Sequence, residues 1–223
     1  MRTIQQKRAD FRKLHETGCF VLPNPWDVGT ARMFQHLGFS ALASTSAGFA
    51  WSAGRPDYGL FRDDVLAHLR VLSAATDLPV NADFESGFGA DLDELSESVR
   101  LAVETGVSGL SVEDRNLEGS ANELYDIDRA VERVRAARSA IDRTGEDVVL
   151  VARTETLLVD PSTISAAIDK LVAFADAGAD CLYAPGARDV AQDLRASSQH
   201  DAILERNILC DSCGNGLAGY GPV

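Results

Sequence analysis

The chain has 223 residues, 45% of them hydrophobic and 25% charged, and its 21 basic and 34 acidic side chains give a formal net charge of −13. This length is enough to bury the core of one domain. The sequence has no basic stretch long enough to follow a phosphate backbone, which argues against nucleic acid and anionic membranes as partners. No apolar run approaches the roughly 18 residues of a membrane span.

The amino-terminal residues and the cysteines indicate in which cellular compartment the protein is located. The first residues, MRTIQQKRADFRKLHE, are basic and polar and lack the apolar core of a secretion signal. The four cysteines are scattered, which favours a reducing environment over a disulfide framework. Cys210 and Cys213 form a CDSC pair without the second pair that a zinc site would need. We therefore expect a cytoplasmic protein.

Short apolar runs with strand character alternate with amphipathic helical patterns. The predicted strands are Cys19–Leu22, Ala41–Thr45, Pro79–Ala82, Gly109–Val112, Val148–Ala152 and Cys181–Ala184. The predicted helices are Val28–Leu37, Asp63–Ala75, Leu92–Thr105, Ile127–Thr144 and Ser162–Ala177. In the fourth helix the apolar residues lie on or near one face, whereas several charged residues point away from it: Arg129, Glu132, Arg133 and Arg138.

Strict strand–helix alternation implies a parallel sheet with right-handed crossovers, as in a doubly wound sheet or a (β/α)₈ barrel. The barrel is favoured because no GxGxxG follows the first strand and polar residues end nearly every strand. The predicted fold class is an α/β, TIM-type (β/α)₈ barrel over residues 1–188, incomplete at the carboxyl terminus, with about six clear βα units. Residues 189–223 form an atypical tail, in which Ile208–Cys210 is a candidate seventh strand.

Charged side chains follow successive predicted strands. Asp83 and Glu85 lie in NADFESGFG, Glu113 in GLSVED and Arg153 in VARTET. Because the carboxyl ends of parallel strands share one rim, we expect these four residues to converge. Carboxylate oxygens are suitable ligands for Mg²⁺ or Mn²⁺, and an arginine can bind an anionic substrate through two parallel hydrogen bonds.

Each of these residues also has a plainer interpretation. Asp83 and Glu85 could be a helix cap and a solvated loop residue, and Arg153 could form a buried ion pair with Glu155 or Glu113. Asp114, next to Glu113, suits the orientation of a loop or a helix cap.

Other polar residues are less specific. The turn Thr45-Ser46-Ala47 has hydroxyls and backbone N–H groups that could cradle a carboxylate or phosphonate, or could be a plain βα turn. Asp57 lies on a long loop, where carboxylates are usually solvated. The four histidines do not form a set, and Lys170 lies away from the strand ends, which weakens a Schiff-base mechanism.

Together these segments resemble the isocitrate lyase and phosphoenolpyruvate mutase superfamily. The matching text, in family order from about Phe11 to Arg188, is VLPNPWDVGTARMFQHLGFSALASTSAGFAW, PVNADFESGFG, GLSVED, LYDIDRAVERVRAAR, VARTET and GADCLYAPG. The resemblance implies a (β/α)₈ barrel, a homo-oligomer where the barrel is complete, and Mg²⁺ (or Mn²⁺) as cofactor. It also implies that C–C or P–C bonds next to a 2-oxo acid or its enolate are cleaved or formed.

The resemblance assigns roles to individual residues. Asp83 matches the principal metal ligand, and Glu85 and Glu113 match acidic positions that hold the ion, often through water.

The remaining matches concern the substrate, which would be a small carboxylic acid. Thr45, Ser46 and Ala47 match the turn that binds its carboxylate or phosphonate. Asp57 matches an acidic catalytic residue near the metal, and Arg153 matches the substrate-binding arginine, also with a catalytic role.

The sequence departs from the family in the loop after the fourth strand. Isocitrate and methylisocitrate lyases carry a KKCGH-type loop with a catalytic cysteine, whereas this chain reads EDRNLEGSANELYD. The mutases and phosphonopyruvate hydrolases carry a lysine there, and Arg115 is the nearest cation here. At the end of the sixth strand, Pro185 stands where the lyases have a substrate-binding glutamate, and from about Asp189 the last two βα units are missing or replaced.

The predicted function is that of a Mg²⁺-dependent lyase-like enzyme that cleaves a C–C bond next to a 2-oxo acid or enolate of a small dicarboxylic acid. One alternative is a P–C bond enzyme of the phosphonopyruvate hydrolase or phosphoenolpyruvate mutase type. Another is a truncated, inactive homologue that only binds ligand.

Overall fold

A computed structural model of the chain describes residues 2–116, 118–120 and 123–186, together with the backbone of 207–209. Its helices are α1 (Ile4–Leu14), α2 (Val28–His36), α3 (Ser46–Ser52), α4 (Arg62–Ala75), α5 (Leu92–Glu104), α6 (Ile127–Thr144), α7 (Thr156–Val159) and α8 (Ile164–Asp176). Its strands are β1 (Leu42–Ala43), β2 (Val80–Asp83), β3 (Gly109–Glu113), β4 (Val149–Arg153), β5 (Cys181–Tyr183) and β6 (Asn207–Leu209). Apart from β6, the predicted tail over 189–223 lies outside the described residues.

The strands form one parallel sheet in the order β1-β2-β3-β4-β5-β6. Each strand pairs with the next strand in sequence, so the sheet has no point at which the strand order reverses. A doubly wound sheet requires such a reversal, and the prediction of an incomplete TIM-type barrel is confirmed. The candidate strand Ile208–Cys210 is confirmed with a shift of one residue.

The prediction of a strand at Cys19–Leu22 is wrong. This segment has no strand assignment, although the next residue, Pro23, accepts the N–H of Ala43 at 3.1 Å. Its apolar residues Phe20 and Leu22 pack against the cluster inside the sheet. This segment is apolar because it packs against the core, although it forms no regular strand. A short apolar run in a sequence does not distinguish a buried strand from a buried irregular segment.

Side chains alternate between two faces of the sheet. Leu110, Leu150 and Ala152 pack with the surrounding helices in the largest apolar cluster. Val149 and Val151 point to the other face and pack with Phe11 of α1.

Helix α1, which the sequence did not predict, lies at the amino-terminal ends of the strands. Lys7 donates to the carbonyls of Ser73 and Thr76, and Arg8 donates to those of Val103 and Val107. The helix therefore closes the end of the barrel opposite the carboxyl rim.

The helix predicted over Ile127–Thr144 is confirmed, but its buried face differs from the expectation. Val134 and Ile141 are buried, whereas Ile127 is 38% exposed and Arg133 is only 2% exposed. None of the helices in the described part of the chain is long and apolar enough to cross a membrane.

Candidate functional site

Strand register brings three of the predicted residues together at the carboxyl rim. Glu113 lies opposite Arg153 in the β3–β4 pair, and Asp83 ends the neighbouring strand β2. Arg153 Nη1 is 3.5 Å from Asp83 Oδ1, and its Nε is 3.4 Å from Glu113 Oε2. The side-chain period of two directs the residues at these strand ends to the inner face.

Arg153 is anchored from a third side. Its Nε donates to Glu155 Oε1, and its guanidinium carbon lies 5.4 Å from the ring centroid of Tyr183. Burial alone would lower the pKa of Arg153, but the charges of Asp83, Glu113 and Glu155 raise it, so the guanidinium stays charged. The alternative interpretation of Arg153, an ion pair with Glu155 or Glu113, is confirmed, and its substrate-binding role stays a prediction.

Asp83 is held by the segment that follows β1. Its Oδ2 accepts the N–H of Ser46 at 2.9 Å and the Ser46 hydroxyl at 2.7 Å, and its own N–H donates to Ser44 Oγ at 2.9 Å. Its Oδ1 is buried and has no hydrogen-bond partner among the described residues. The Arg153 guanidinium faces this oxygen at 3.5 Å without a hydrogen bond, which leaves the oxygen able to accept a further ligand.

Glu85 follows β2 in a left-handed conformation, with a φ of 48°, and its side chain is buried. Burial, together with the charges of Asp83, Glu113 and Asp57, raises the pKa of Glu85 to about 8. A carboxyl group with this pKa is largely protonated at neutral pH unless a cation is present.

Glu113 is 4% exposed and accepts a hydrogen bond from the Tyr58 hydroxyl at 2.7 Å. Burial raises its pKa, as do the charges of Glu155 and Asp83, although Arg153 and the Tyr58 hydroxyl act in the opposite direction. The rim therefore contains two carboxyl groups that resist ionisation.

These two groups predict a pH dependence of stability. Unfolded glutamates ionise near pH 4.5, so from there to about pH 8 the folded protein holds protons that the unfolded chain has released. The free energy of unfolding of metal-free protein should fall as pH rises through this window, by up to about 1.4 kcal/mol per pH unit for each group. Urea denaturation at about pH 6.5 and about pH 8 measures the slope.

The control for this prediction is Glu85→Gln, which removes one titrating group and should make the slope shallower. The pH range avoids His68, since burial lowers its pKa to about 4 and its contribution below about pH 6.5 has the opposite sign. A wild-type stability that is constant or rises from about pH 6.5 to about pH 8 would contradict the assignment.

The carboxylates of the rim meet the requirements of a metal ion only in part. Within the described ranges, no three His, Cys, Asp or Glu side chains lie close enough together to hold one metal ion. A site with one direct carboxylate ligand remains compatible with the geometry, because Mg²⁺ keeps several waters and is usually bound through one or two carboxylates. Asp83 Oδ1 fits that requirement, and the set Asp83, Glu85 and Glu113 stays a prediction.

The predicted binding turn is the start of a helix. Thr45 is the N-cap of α3 and accepts the N–H of Gly48 at 3.0 Å, while Ser46 is bound to Asp83. Ala47 lies in the first turn of the helix and is half-buried. The substrate-binding role of these three residues stays a prediction.

Asp57 lies on an exposed loop, close enough to Glu85 for its charge to raise the pKa of that group, and its Oδ1 accepts the N–H of Tyr58 at 3.0 Å. Sequence analysis missed Tyr58, which has a φ of 60° and contacts both Glu113 and Arg115. The guanidinium carbon of Arg115 lies 4.4 Å from the Tyr58 ring centroid. A tyrosine in a loop without periodicity gives no signal of this role, beyond its position next to Asp57.

Asp114 orients the loop after β4, as predicted. It accepts the Thr154 hydroxyl at 2.7 Å, the N–H of Glu155 at 2.9 Å and Nζ of Lys170 at 2.6 Å. Lys170 also donates to the carbonyl of Tyr125 at 3.0 Å. These contacts fix the backbone of Glu155, which in turn binds Arg153.

An incomplete TIM-type barrel with carboxylates and an arginine at its carboxyl rim is typical of the enzymes that this fold supports. Residues 11–212 match the family model of phosphoenolpyruvate phosphomutase. The chain belongs to this family, within the phosphoenolpyruvate mutase and isocitrate lyase superfamily.

Three similar proteins illustrate the relationship. The 2-methylisocitrate lyase of Escherichia coli K12 is 32% identical over 160 residues, which are 69% of this chain and 53% of that enzyme. A Burkholderia cenocepacia J2315 protein described as a lyase or mutase has a crystal structure with a TM-score of 0.85 and 36% identity, covering 96% of this chain and 86% of that one. The structure of a 2,3-dimethylmalate lyase has a TM-score of 0.82 and 27% identity, with 94% and 72% coverage.

Proposed function

We propose that this chain is a Mg²⁺-dependent enzyme that cleaves a C–C bond next to a 2-oxo acid or enolate of a small dicarboxylic acid. The observation that carries the proposal is the contact of Arg153 with both Asp83 and Glu113 at the shared rim. The homo-oligomer implied by the resemblance and the cytoplasmic location expected from the amino terminus and the scattered cysteines belong to the same proposal, and Mn²⁺ is an acceptable substitute ion.

The charge balance of the rim supports a bound cation. In the described part of the rim, Asp83, Glu113 and Glu155 surround the Arg153 guanidinium, and a fourth carboxyl group, that of Glu85, lies close enough to Asp83 and Glu113 for their charges to raise its pKa. An anionic substrate entering this cluster would be repelled if all four groups were ionised. A divalent ion removes that repulsion and favours the ionised form of the carboxyls.

Asp83 would hold the ion directly through its unsatisfied Oδ1, and Glu85 and Glu113 would hold it through water. When bound, Mg²⁺ supplies Lewis-acid polarisation of the substrate oxygen that gains charge as the bond breaks. Because Ser46 already binds Oδ2, the Asp83 carboxylate is fixed in orientation before a ligand arrives.

Arg153 would bind the substrate carboxylate and stabilise the negative charge that develops on the enolate. Its anchoring by Glu155 fixes the fork in advance, so little reorganisation is required at the moment of reaction. Asp57 is the proposed proton-transfer residue, since its carboxylate is exposed to water and lies close enough to Glu85 to raise the pKa of that group.

The chemistry differs from that of a cysteine-dependent lyase. Two cysteines lie in the described part of the chain, and neither belongs to the loop that follows β3, where the lyases carry their catalytic cysteine. Cys19 is exposed, and Cys181 is buried with Val149 and Val151 inside the barrel. The named activities of the E. coli and 2,3-dimethylmalate relatives support C–C cleavage, and the description of the family model supports P–C chemistry as the second candidate. The chain spans 53% of the E. coli enzyme, so the whole-protein activity is part of the proposal.

The proposal is tested by measuring turnover of oxaloacetate, 2-methylisocitrate and phosphonopyruvate with Mg²⁺ and, as a control, with EDTA. Turnover of either C–C substrate that depends on Mg²⁺ supports the proposal, and exclusive turnover of phosphonopyruvate favours the P–C alternative. A parallel calorimetric titration with Mg²⁺ and oxalate, a mimic of enolpyruvate, measures binding alone. Binding without turnover of any substrate would favour the inactive homologue.

A further inference from the structure

Arg133 of α6 is almost fully buried beneath the loop that follows β2. Its Nη2 donates to the carbonyls of Ser86 at 2.7 Å and Gly89 at 2.9 Å, and its Nη1 lies 3.4 Å from the carbonyl of Ala90. One guanidinium therefore binds three carbonyls of a loop only five residues long, over 86–90. This loop begins directly after Glu85.

The conformation of this loop requires external support. Glu85 and Phe88 adopt positive φ angles of 48° and 54°, which are unfavourable for residues with a Cβ atom, and Gly87 has a φ of 88°. Such a backbone persists only where its surroundings over-determine it. Gly89 is packed so closely that an added Cβ would lie 2.2 Å from the Leu95 backbone nitrogen.

The cost of burying Arg133 points to the same loop. Within the described residues its hydrogen bonds go to backbone carbonyls, and its guanidinium carbon lies 4.7 Å from the ring centroid of Tyr125. Desolvation of an arginine is unfavourable, and an apolar side chain could fill the same space without that cost. What arginine adds at this position is a rigid fork of donors that matches several carbonyls at once.

We propose that Arg133 is a positioning residue, which holds the 86–90 loop in the turn that places Glu85 beside Asp83. The part of this inference that concerns the metal rests on the proposed function. Arg133 itself contacts carbonyls and not the reacting groups, so its effect reaches the site only through the backbone of the loop.

The first experiment compares amide hydrogen exchange in metal-free wild-type protein and Arg133→Met. We expect exchange in the 84–90 segment, including the Gly87 amide that donates to Phe84, to accelerate about tenfold or more while strand β4 stays protected. The control is Arg138→Met on the same helix, which loses ion pairs with Asp142 and Asp180 but has no contact with the loop. Unchanged exchange of the loop in Arg133→Met would overturn the proposal.

The second experiment measures Mg²⁺ affinity by calorimetry at a temperature at which all variants are folded. Arg133→Met should weaken the affinity about 10- to 100-fold, as expected when a group that orients a ligand is removed. Arg133→Lys should recover part of it, and Arg138→Met should retain wild-type affinity. Faster loop exchange with unaltered affinity would also overturn the proposal. If wild-type protein binds no Mg²⁺, the proposed function fails, whereas the exchange data on metal-free protein still decide whether Arg133 holds the loop.

Discussion

Asp83→Ala should abolish measurable Mg²⁺ binding and reduce kcat/KM for the preferred substrate by at least about 10³-fold, since direct coordination and electrostatic stabilisation are lost together. The reason is that Asp83 Oδ1 is the buried carboxylate oxygen left without a hydrogen bond in the described rim. Calorimetric titration with Mg²⁺ and oxalate, followed by steady-state kinetics, measures both effects.

Two further variants distinguish a loss of metal binding from a loss of folding stability. Asp83→Asn keeps an oxygen that can accept the Ser46 hydrogen bonds but removes the charge, so it should fold normally and still lose the ion. Asp91→Ala is the matched control: Asp91 caps α5 by accepting the N–H groups of Asp93 and Glu94, and its loss should cost about 1 kcal/mol of stability without affecting binding. Wild-type Mg²⁺ affinity in Asp83→Asn would contradict the assignment of Asp83 as the metal ligand.

The metal should also compete with protons. Since Mg²⁺ requires ionised carboxylates, its affinity for wild-type protein should rise with pH as Glu85 and Glu113 deprotonate. The Asp83 charge is one of the causes that raise the pKa values of Glu85 and Glu113. The Asp83 carboxylate therefore contributes both to the binding of Mg²⁺ and to the pH dependence of its affinity.

The rim could be predicted from sequence because two local rules specify it. Strand–helix alternation predicts parallel strands, and parallel strands bring the residues at their carboxyl ends to one edge. Asp83, Glu113 and Arg153 each end a short apolar run, so their convergence needed no knowledge of packing. Glycine at Gly38 and Gly106, both with φ near 90°, marked the returns from helix to sheet.

The remaining parts of the site depend on contacts distant in sequence. The contact of Tyr58 with Glu113 spans 55 residues and the contact of Lys170 with Asp114 spans 56, and neither leaves a periodic trace. For Arg133, helical periodicity predicts which side chains share a face but not which loop will lie against them. A charged residue that binds carbonyls of a neighbouring loop therefore has the same sequence signal as a solvated one.

Arg153→Met should destabilise the protein by about 3–5 kcal/mol, because removal of one partner leaves buried charges uncompensated. Glu113 and Glu155 are 4% and 2% exposed, and both lose the guanidinium that faces them. Binding of oxalate in the presence of Mg²⁺ should weaken by at least about 100-fold, since a charge-assisted bidentate contact is removed. Urea denaturation and calorimetry measure the two effects.

The pH dependence of the destabilisation by Arg153→Met shows whether unpaired carboxylates cause it. Arg153 holds the pKa of Glu113 down to about 8, so without it Glu113 keeps its proton to higher pH, and the destabilisation should be larger at about pH 9 than at about pH 7. Arg153→Lys keeps the charge but loses the fork, and should fall between wild type and Arg153→Met. Arg8→Met is the control: the Arg8 side chain is 3% exposed, against 18% for Arg153, and it pairs with Glu146 at the opposite end of the barrel, so this variant should lose stability but keep oxalate binding. A destabilisation by Arg153→Met that is the same at both pH values would mean that lost packing, and not the unpaired carboxylates, accounts for the effect.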